Sequence, residues 1–304
     1  MIQHILQADA SMLMEEGYSM IKDELELFKF QGDKWVTAGD IRKALLDTEA
    51  NQCRVLFVHS DLSFGVKNSQ LNRAELCEIL YGLIEETHVE TIVFPTFTFS
   101  FCNYEDFDVC NSPSKMGMLS EYVRKKVEAK RSLDSIMSVV VLGDTKGLLD
   151  IRGKKALGEG SVFDILHNTE GVRFLFFGTR FGLCGTHMHY VEEKLRVPYR
   201  YDMEFSGRII DENGVTYNDS RIIFVKYQDV IPCVPTSFED MLLNKGYMKY
   251  APVGDNGIYS ILETDMYREV YNALSNDVNA FLGEPYDTHP LVKNYQFGHV
   301  TTVQ

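Results

Sequence analysis

Apolar residues in this chain fall into short continuous runs separated by stretches with helical spacing. Val55-Leu-Phe-Val58, Thr91-Ile-Val-Phe94, Met137-Ser-Val-Val-Val-Leu142 and Val172-Arg-Phe-Leu-Phe-Phe177 are rich in β-branched and aromatic residues and bounded by glycine, proline or polar positions. Such runs predict buried strands. Between them, Thr37 with Asp40 starts a helix through Ile41, Leu45 and Leu46. A second starts near Ser69 and places Leu76, Ile79, Leu80, Leu83 and Ile84 on a 3.6-residue period. A third runs from about Ser114 to Ala129, and Ser161 to Leu166 is a short capped helix. The alternation predicts an α/β fold of three layers, α/β/α, with a mostly parallel sheet covered on both faces.

The texture changes after Pro198. Residues 204–227 alternate apolar and polar positions around Asn213-Gly214, a strong hairpin signal, so 198–236 reads as an antiparallel β-hairpin insertion. Ser237 to Asn244 is a short helix followed by Gly246, and Thr264 to Leu282 a long amphipathic one closed by Gly283, so a β-rich, helix-backed segment is expected to complete the sheet. The last twenty residues are polar and are expected to wrap over the surface. Residues 1–36 carry only a weak pattern (Met14, Met20, Ile21, Leu25, Phe28) and read as an N-terminal arm or irregular helix before a single domain, 37–304.

The most informative stretch is Phe174 to Glu193: an apolar strand, a turn with Gly178, Gly182 and Gly185, then a helix with Thr186 as expected N-cap. Thr186, His189 and Glu192 recur every three residues and share one helix face within roughly 120°. An imidazole titrates close to neutrality, and a carboxylate one turn on can hold its tautomer, which suits general-base work. The same spacing also fits a plain surface His/Glu pair. His187 and His189, two apart on a helix, point about 200° from each other and cannot chelate together, so no metal is expected. Cys184 raises a thiol nucleophile, with a packing role as the alternative.

Two further segments bear on ligands. His59-Ser-Asp-Leu-Ser-Phe-Gly65 leaves a buried strand and can cradle an anion, although its glycines and lysines are not spaced as a P-loop. Lys125, Lys126, Lys130 and Arg131, with Arg152, Lys154 and Lys155, either complement a helix end or grip a phosphate. A net charge of −14 over 304 residues argues against nucleic acid. No apolar run approaches the ~18 residues of a membrane span. The first ten residues show no secretory pattern, and six cysteines without a CxxC fit free thiols in a reducing compartment, so a cytoplasmic location is expected.

Residues 55–65 (VLFVHSDLSFG), 94–98 (FPTFT) with 107–124 (FDVCNSPSKMGMLSEYVR), and 186–192 (THMHYVE) occur in this order. Together they resemble the aminoglycoside 3-N-acetyltransferase family, and the resemblance extends over about residues 37–283, including Arg131-Ser132 with Ser138 and Tyr250-Ala-Pro-Val-Gly254. It implies acetyl-CoA or another acyl-CoA as co-substrate, no metal, and an amino sugar as acceptor. The family's T-x-x-H-x-x-E motif maps onto Thr186, His189 and Glu192 as catalytic residues. The resemblance further implies CoA contact by His59, Ser60, Asp61, Ser63, Phe64 and Gly65, with Ser114 and Arg131. It suggests acceptor contact by Thr96, Thr98, Tyr104 and Asp108. Asp61 departs from a second serine and Ser135 from a proline in the family pattern. The run from His189 through Val197-Pro-Tyr-Arg-Tyr201 is similar to a subgroup of cell-surface polysaccharide pathways, so a nucleotide-linked amino sugar is the expected acceptor. An aminoglycoside, or a catalytically idle ligand-binding homologue, stands as the alternative; a homo-oligomer is possible.

Overall fold

The computed structural model describes residues 21–294. The elements in chain order are β1 (Glu26–Phe30), β2 (Lys34–Thr37), α1 (Ala38–Asp47), β3 (Val55–Ser60), β4 (Val66–Lys67), α2 (Arg73–Glu85) and β5 (Thr91–Pro95). There follow a 3-10 turn (Phe101–Asn103), β6 (Phe107–Asp108), α3 (Met118–Arg124), β7 (Lys130–Arg131), β8 (Val139–Gly143), α4 (Val162–His167) and β9 (Val172–Phe177). The rest comprises α5 (Phe181–Cys184), α6 (Met188–Leu195), β10 (Arg200–Ile210), β11 (Thr216–Lys226), α7 (Thr236–Asn244), β12 (Met248–Val253), β13 (Asn256–Leu262) and α8 (Glu263–Asn276).

Seven strands form the main sheet in the order β12-β13-β9-β3-β5-β8-β7. It is mixed, not mostly parallel: β3 runs parallel to β9 and to β5, while the junctions β12–β13, β13–β9, β5–β8 and β8–β7 are antiparallel. The flanking pairs explain this. Gly254-Asp255 alone joins β12 to β13, and residues 132–138 join β7 to β8, connections too short for a parallel crossover. The central strands read as unbroken apolar runs because both faces are buried. On β3, Val55 and Phe57 enter one core with Phe163, Phe174 and Val191; Leu56 and Val58 enter the other with Leu80, Ile84 and Ile41.

Local signals account for most helix boundaries. Thr37 and Asp40 form a reciprocal capping box on α1. The second helix starts at Arg73 rather than Ser69, because Asn72 and Glu75 make a second capping box. The third is far shorter than 114–129. Ser114 keeps the chain out of the helix by accepting the Met116 N–H, and Lys130-Arg131 pairs as β7 with β8. The last helix ends at Asn276, since Asp277 turns the chain by accepting the Asn279 N–H. Residues 26–37 form the β1–β2 hairpin, extended by β4, rather than a helix; Met14 and Met20 lie outside the described residues. β10 and β11 pair antiparallel through eleven positions around Asn213-Gly214, with β6 along the outer edge of β10. No described helix is long and apolar enough to cross a membrane.

Candidate active site

Two turns lie side by side at the carboxyl ends of the neighbouring parallel strands β3 and β9, the usual ligand position in open α/β sheets. β3 exits into Ser60-Asp61 and β9 into Gly178-Thr179. The Asp61 N–H donates to the Phe177 carbonyl at 3.0 Å. Gly178, at φ +73°, lies so close that a Cβ there would stand 1.9 Å from the Asp61 carbonyl oxygen. Beyond it α5 makes a single turn, tethered by the Gly182 N–H donating to Glu239 on α7 at 2.7 Å.

An inverse γ-turn then leads into α6. Gly185 has φ −68° and ψ 62°, and the Thr186 N–H donates to the Cys184 carbonyl at 2.7 Å. The Thr186 hydroxyl donates to that same carbonyl at 3.3 Å, so it does not cap the helix; His187 takes the N-cap position without a side-chain bond. His187 turns into the core, fully buried, with Nε2 2.8 Å from Glu263 Oε1, and His167 Nδ1 meets the same oxygen at 2.8 Å. His167, His187 and Glu263 thus make a three-donor cluster that holds α4, the head of α6 and α8 together. His189 lies on the opposite side, separated from His187 as helical geometry requires.

The His189 ring is 28% exposed, and Nδ1 lies 2.5 Å from Glu192 Oε2. Glu192 is almost fully buried and held by two further contacts, while a third joins Arg200 to the ring itself. Tyr199 donates its hydroxyl to Oε1 at 2.8 Å, Arg200 Nε pairs with Oε2 at 2.8 Å, and Arg200 Nη2 reaches His189 Nδ1 at 3.0 Å. Burial alone would push the Glu192 carboxyl up. Arg200, His189 and Tyr199 outweigh it and hold the group below the ordinary carboxylate range. An ionised Glu192 can only accept, so its shorter contact calls for the proton on Nδ1, and Arg200 Nη2, which can only donate, then stands beside that N–H as a charge and not as its hydrogen-bond partner. That tautomer leaves the Nε2 lone pair free, and Nε2 has no hydrogen-bond partner among the described residues. Burial and Glu192 push the Tyr199 phenol up, so it remains a donor.

Tyr199 and Arg200 do not emerge from the i, i+3 pattern that exposes the His189–Glu192 pair. They reach Glu192 because Arg196 adopts a left-handed conformation (φ 49°) and reverses the chain after α6. The available signal is Pro198, which stops the helix within reach of its own last turns.

The remaining predicted residues divide by exposure. His59 is buried and its ring stacks on Phe176 (centroids 5.6 Å, 5° between planes). Burial, with nearby His187 adding, lowers its pKa to about 3. Phe64 is buried edge-on against Phe177. Asp61 and Ser63 are exposed and Ser60 half-buried, so these three, with the backbone to Gly65, are the parts of the loop that can meet a ligand. Ser114 donates its N–H to Glu121 at 2.8 Å. Arg131 points its guanidinium inward: Nη1 donates to the Ser112 and Val109 carbonyls, Nη2 to the Thr96 carbonyl, and Nε lies 3.2 Å from both Thr96 Oγ1 and Ser138 Oγ. Thr96 and Thr98 are buried, their hydroxyls donating to the Ser138 and Ser135 carbonyls, and they shape the wall rather than face solvent. Tyr104 is 90% exposed, and Asp108 closes an Asx turn by accepting the Cys110 and Asn111 N–H groups. Cys184 donates to the Arg180 carbonyl and contacts Thr179; burial pushes its thiol up to about 12.

The mixed α/β fold, with an oriented His–Glu pair on the helix that follows β9, is shared with proteins of known class. Residues 57–275 match the family model described as aminoglycoside 3-N-acetyltransferase, and the chain belongs to that family of CoA-dependent N-acyltransferases, which use acetyl-CoA as co-substrate. Among solved structures, the aminoglycoside acetyltransferase AAC(3)-IVa apoenzyme matches with a TM-score of 0.66 at 19% identity, over 86% of this chain and 97% of its own. The YokD protein from Bacillus subtilis gives 0.64 at 19% identity, over 85% and 98%. AAC-IIIb in a binary complex with CoASH gives 0.64 at 16% identity, over 82% and 98%. At these identities the likeness is one of fold. No curated protein sequence matches the chain.

Proposed function

We propose that this protein transfers an acetyl group from acetyl-CoA to an amino group of an aminoglycoside-class sugar, with His189 as general base. The observation that carries this reading is the His189–Glu192 contact: a 2.5 Å bond at Nδ1 fixes the tautomer and leaves Nε2 as the basic atom on a partly exposed ring. Acetyl-CoA supplies the thioester carbonyl. As the acceptor nitrogen forms its bond to that carbon, Nε2 takes the nitrogen's proton; the C–S bond breaks, and the departing CoA thiolate receives that proton from Nε2.

Glu192 supports the imidazolium without itself becoming protonated. Thr186 is assigned to the developing negative charge on the thioester oxygen, its hydroxyl giving up the 3.3 Å bond to the Cys184 carbonyl to do so. Ser60, Asp61 and Ser63 are assigned to the CoA moiety, with Ser114 and Arg131 supporting the adjoining loop. Tyr104 and Asp108 are assigned to the acceptor, with Thr96 and Thr98 behind them. The family match favours an aminoglycoside over the nucleotide-linked amino sugar expected from the 189–201 run. A net charge of −14 suits a polycationic acceptor. The test is thiol release from acetyl-CoA with a panel of aminoglycosides and nucleotide-linked amino sugars, with product mass as the readout. Acetylated aminoglycoside supports the proposal; acetylation of the nucleotide sugars alone overturns its acceptor.

A further inference from the structure

The geometry points to Arg200 as a positioning residue that sets the protonation of the His189–Glu192 pair. This rests on the reading of His189 as the base. Arg200 is buried to 8% exposure and held in place by its Nη1 donating to the Phe224 carbonyl of β11 at 3.1 Å. From there it touches both members of the pair: Nε meets Glu192 Oε2 at 2.8 Å and Nη2 meets His189 Nδ1 at 3.0 Å. The Nε contact is an ion pair rather than an aligned hydrogen bond, so its contribution is charge. With Nδ1 already carrying a proton for Glu192, the Nη2 contact places a second donor and a full positive charge beside the ring.

The two effects oppose each other. A carboxylate beside an imidazole favours the cationic form of the ring. Arg200 keeps Glu192 ionised through its Nε contact, and its positive charge beside Nδ1 opposes a second positive charge on the ring. Both Arg200 contacts fall on the Nδ1 side of the ring, so the orienting carboxylate is clamped there and Nε2 is left uncovered. The other titratable or charged groups around it are Tyr199, which donates to Glu192, and Lys226, across the hairpin from Arg200 in register. Glu193, the neighbour of Glu192, is turned to Lys155 and Arg196.

The experiment compares wild type, Arg200→Gln and Arg200→Lys by histidine ring 15N NMR titration of the free protein, alongside the pH dependence of kcat/KM for acetyl transfer. Arg200→Gln is expected to move the titration midpoint of the His189–Glu192 pair, and the acid limb of the rate profile, to higher pH by about one unit. Its rate should recover at alkaline pH, and Arg200→Lys should keep both close to wild type. A folded Arg200→Gln protein whose midpoint and acid limb stay in place, or an Arg200→Lys shift as large as that of Arg200→Gln, overturns the proposal and leaves Arg200 a structural strut. The NMR midpoint needs no substrate. A shifted midpoint in a protein that transfers no acetyl group would sink the proposed reaction while leaving the Arg200 effect standing.

Discussion

The Asp61 carbonyl oxygen occupies the space in which a side chain at Gly178 would begin: a Cβ there would lie 1.9 Å away. This contact locks the exit of β3 against the exit of β9. Gly178→Ala must adopt a positive φ and also push the Asp61 backbone aside. We expect a loss of about 2 kcal/mol or more, measured by urea denaturation, with acetyl transfer falling further than stability alone explains. A variant with unchanged stability would show that the two strand exits are not locked together.

Cys184 lies five residues before His189, but its thiol is pushed up to about 12 by burial and bonded to the Arg180 carbonyl. It should therefore form no acyl-enzyme. Peptide-level mass spectrometry after incubation with acetyl-CoA should find Cys184 unmodified, and Cys184→Ala should keep acetyl transfer within about twofold of wild type. A thioester on Cys184, with transfer abolished by the substitution, would replace direct transfer with a two-step mechanism.

Burial, with His187 nearby, lowers the pKa of His59 to about 3. The native protein thus refuses a proton that the unfolded chain accepts near pH 6.5, so this term is fully present above that value and fades as pH drops towards 3. The slope it adds is about 1.4 kcal/mol per pH unit. His59→Phe, which preserves the stack on Phe176, should flatten the pH dependence of unfolding free energy between pH 6.5 and 4 by about that amount. Equal slopes in the two proteins would mean that His59 titrates normally.

Legibility in the sequence followed the range of the forces involved. β3 and β9 were evident because burial on both faces leaves unbroken apolar runs, and α1 because its capping box is local. Strand direction was not evident: Val139–Gly143 looks the same whether it runs with β5 or against it. The His189–Glu192 pair was visible as an i, i+3 repeat. Arg200 was not, because its contacts depend on a left-handed residue, Arg196, that no glycine or asparagine announces. The buried orientation of Arg131 was hidden for a similar reason, since its five acceptors include groups up to 35 residues away from it in the chain.

Glu192, held below the ordinary carboxylate range, contributes stability above the unfolded carboxylate value of about 4.3 and loses it as pH falls through its folded value. Glu192→Gln should therefore weaken the acid sensitivity of folding below about pH 5. At neutral pH it should lower kcat by about tenfold or more, because the amide orients the ring but does not stabilise an imidazolium. An unchanged kcat would show that the carboxylate is structural only.

The base itself offers the most direct test. Steady-state acetyl transfer by His189→Ala, with acetyl-CoA and the best aminoglycoside acceptor at neutral pH, should fall about 10²–10⁴-fold in kcat, with the KM for acetyl-CoA little changed. A kcat within a few fold of wild type would mean that the ring next to Glu192 moves no proton, and that positioning alone carries the reaction.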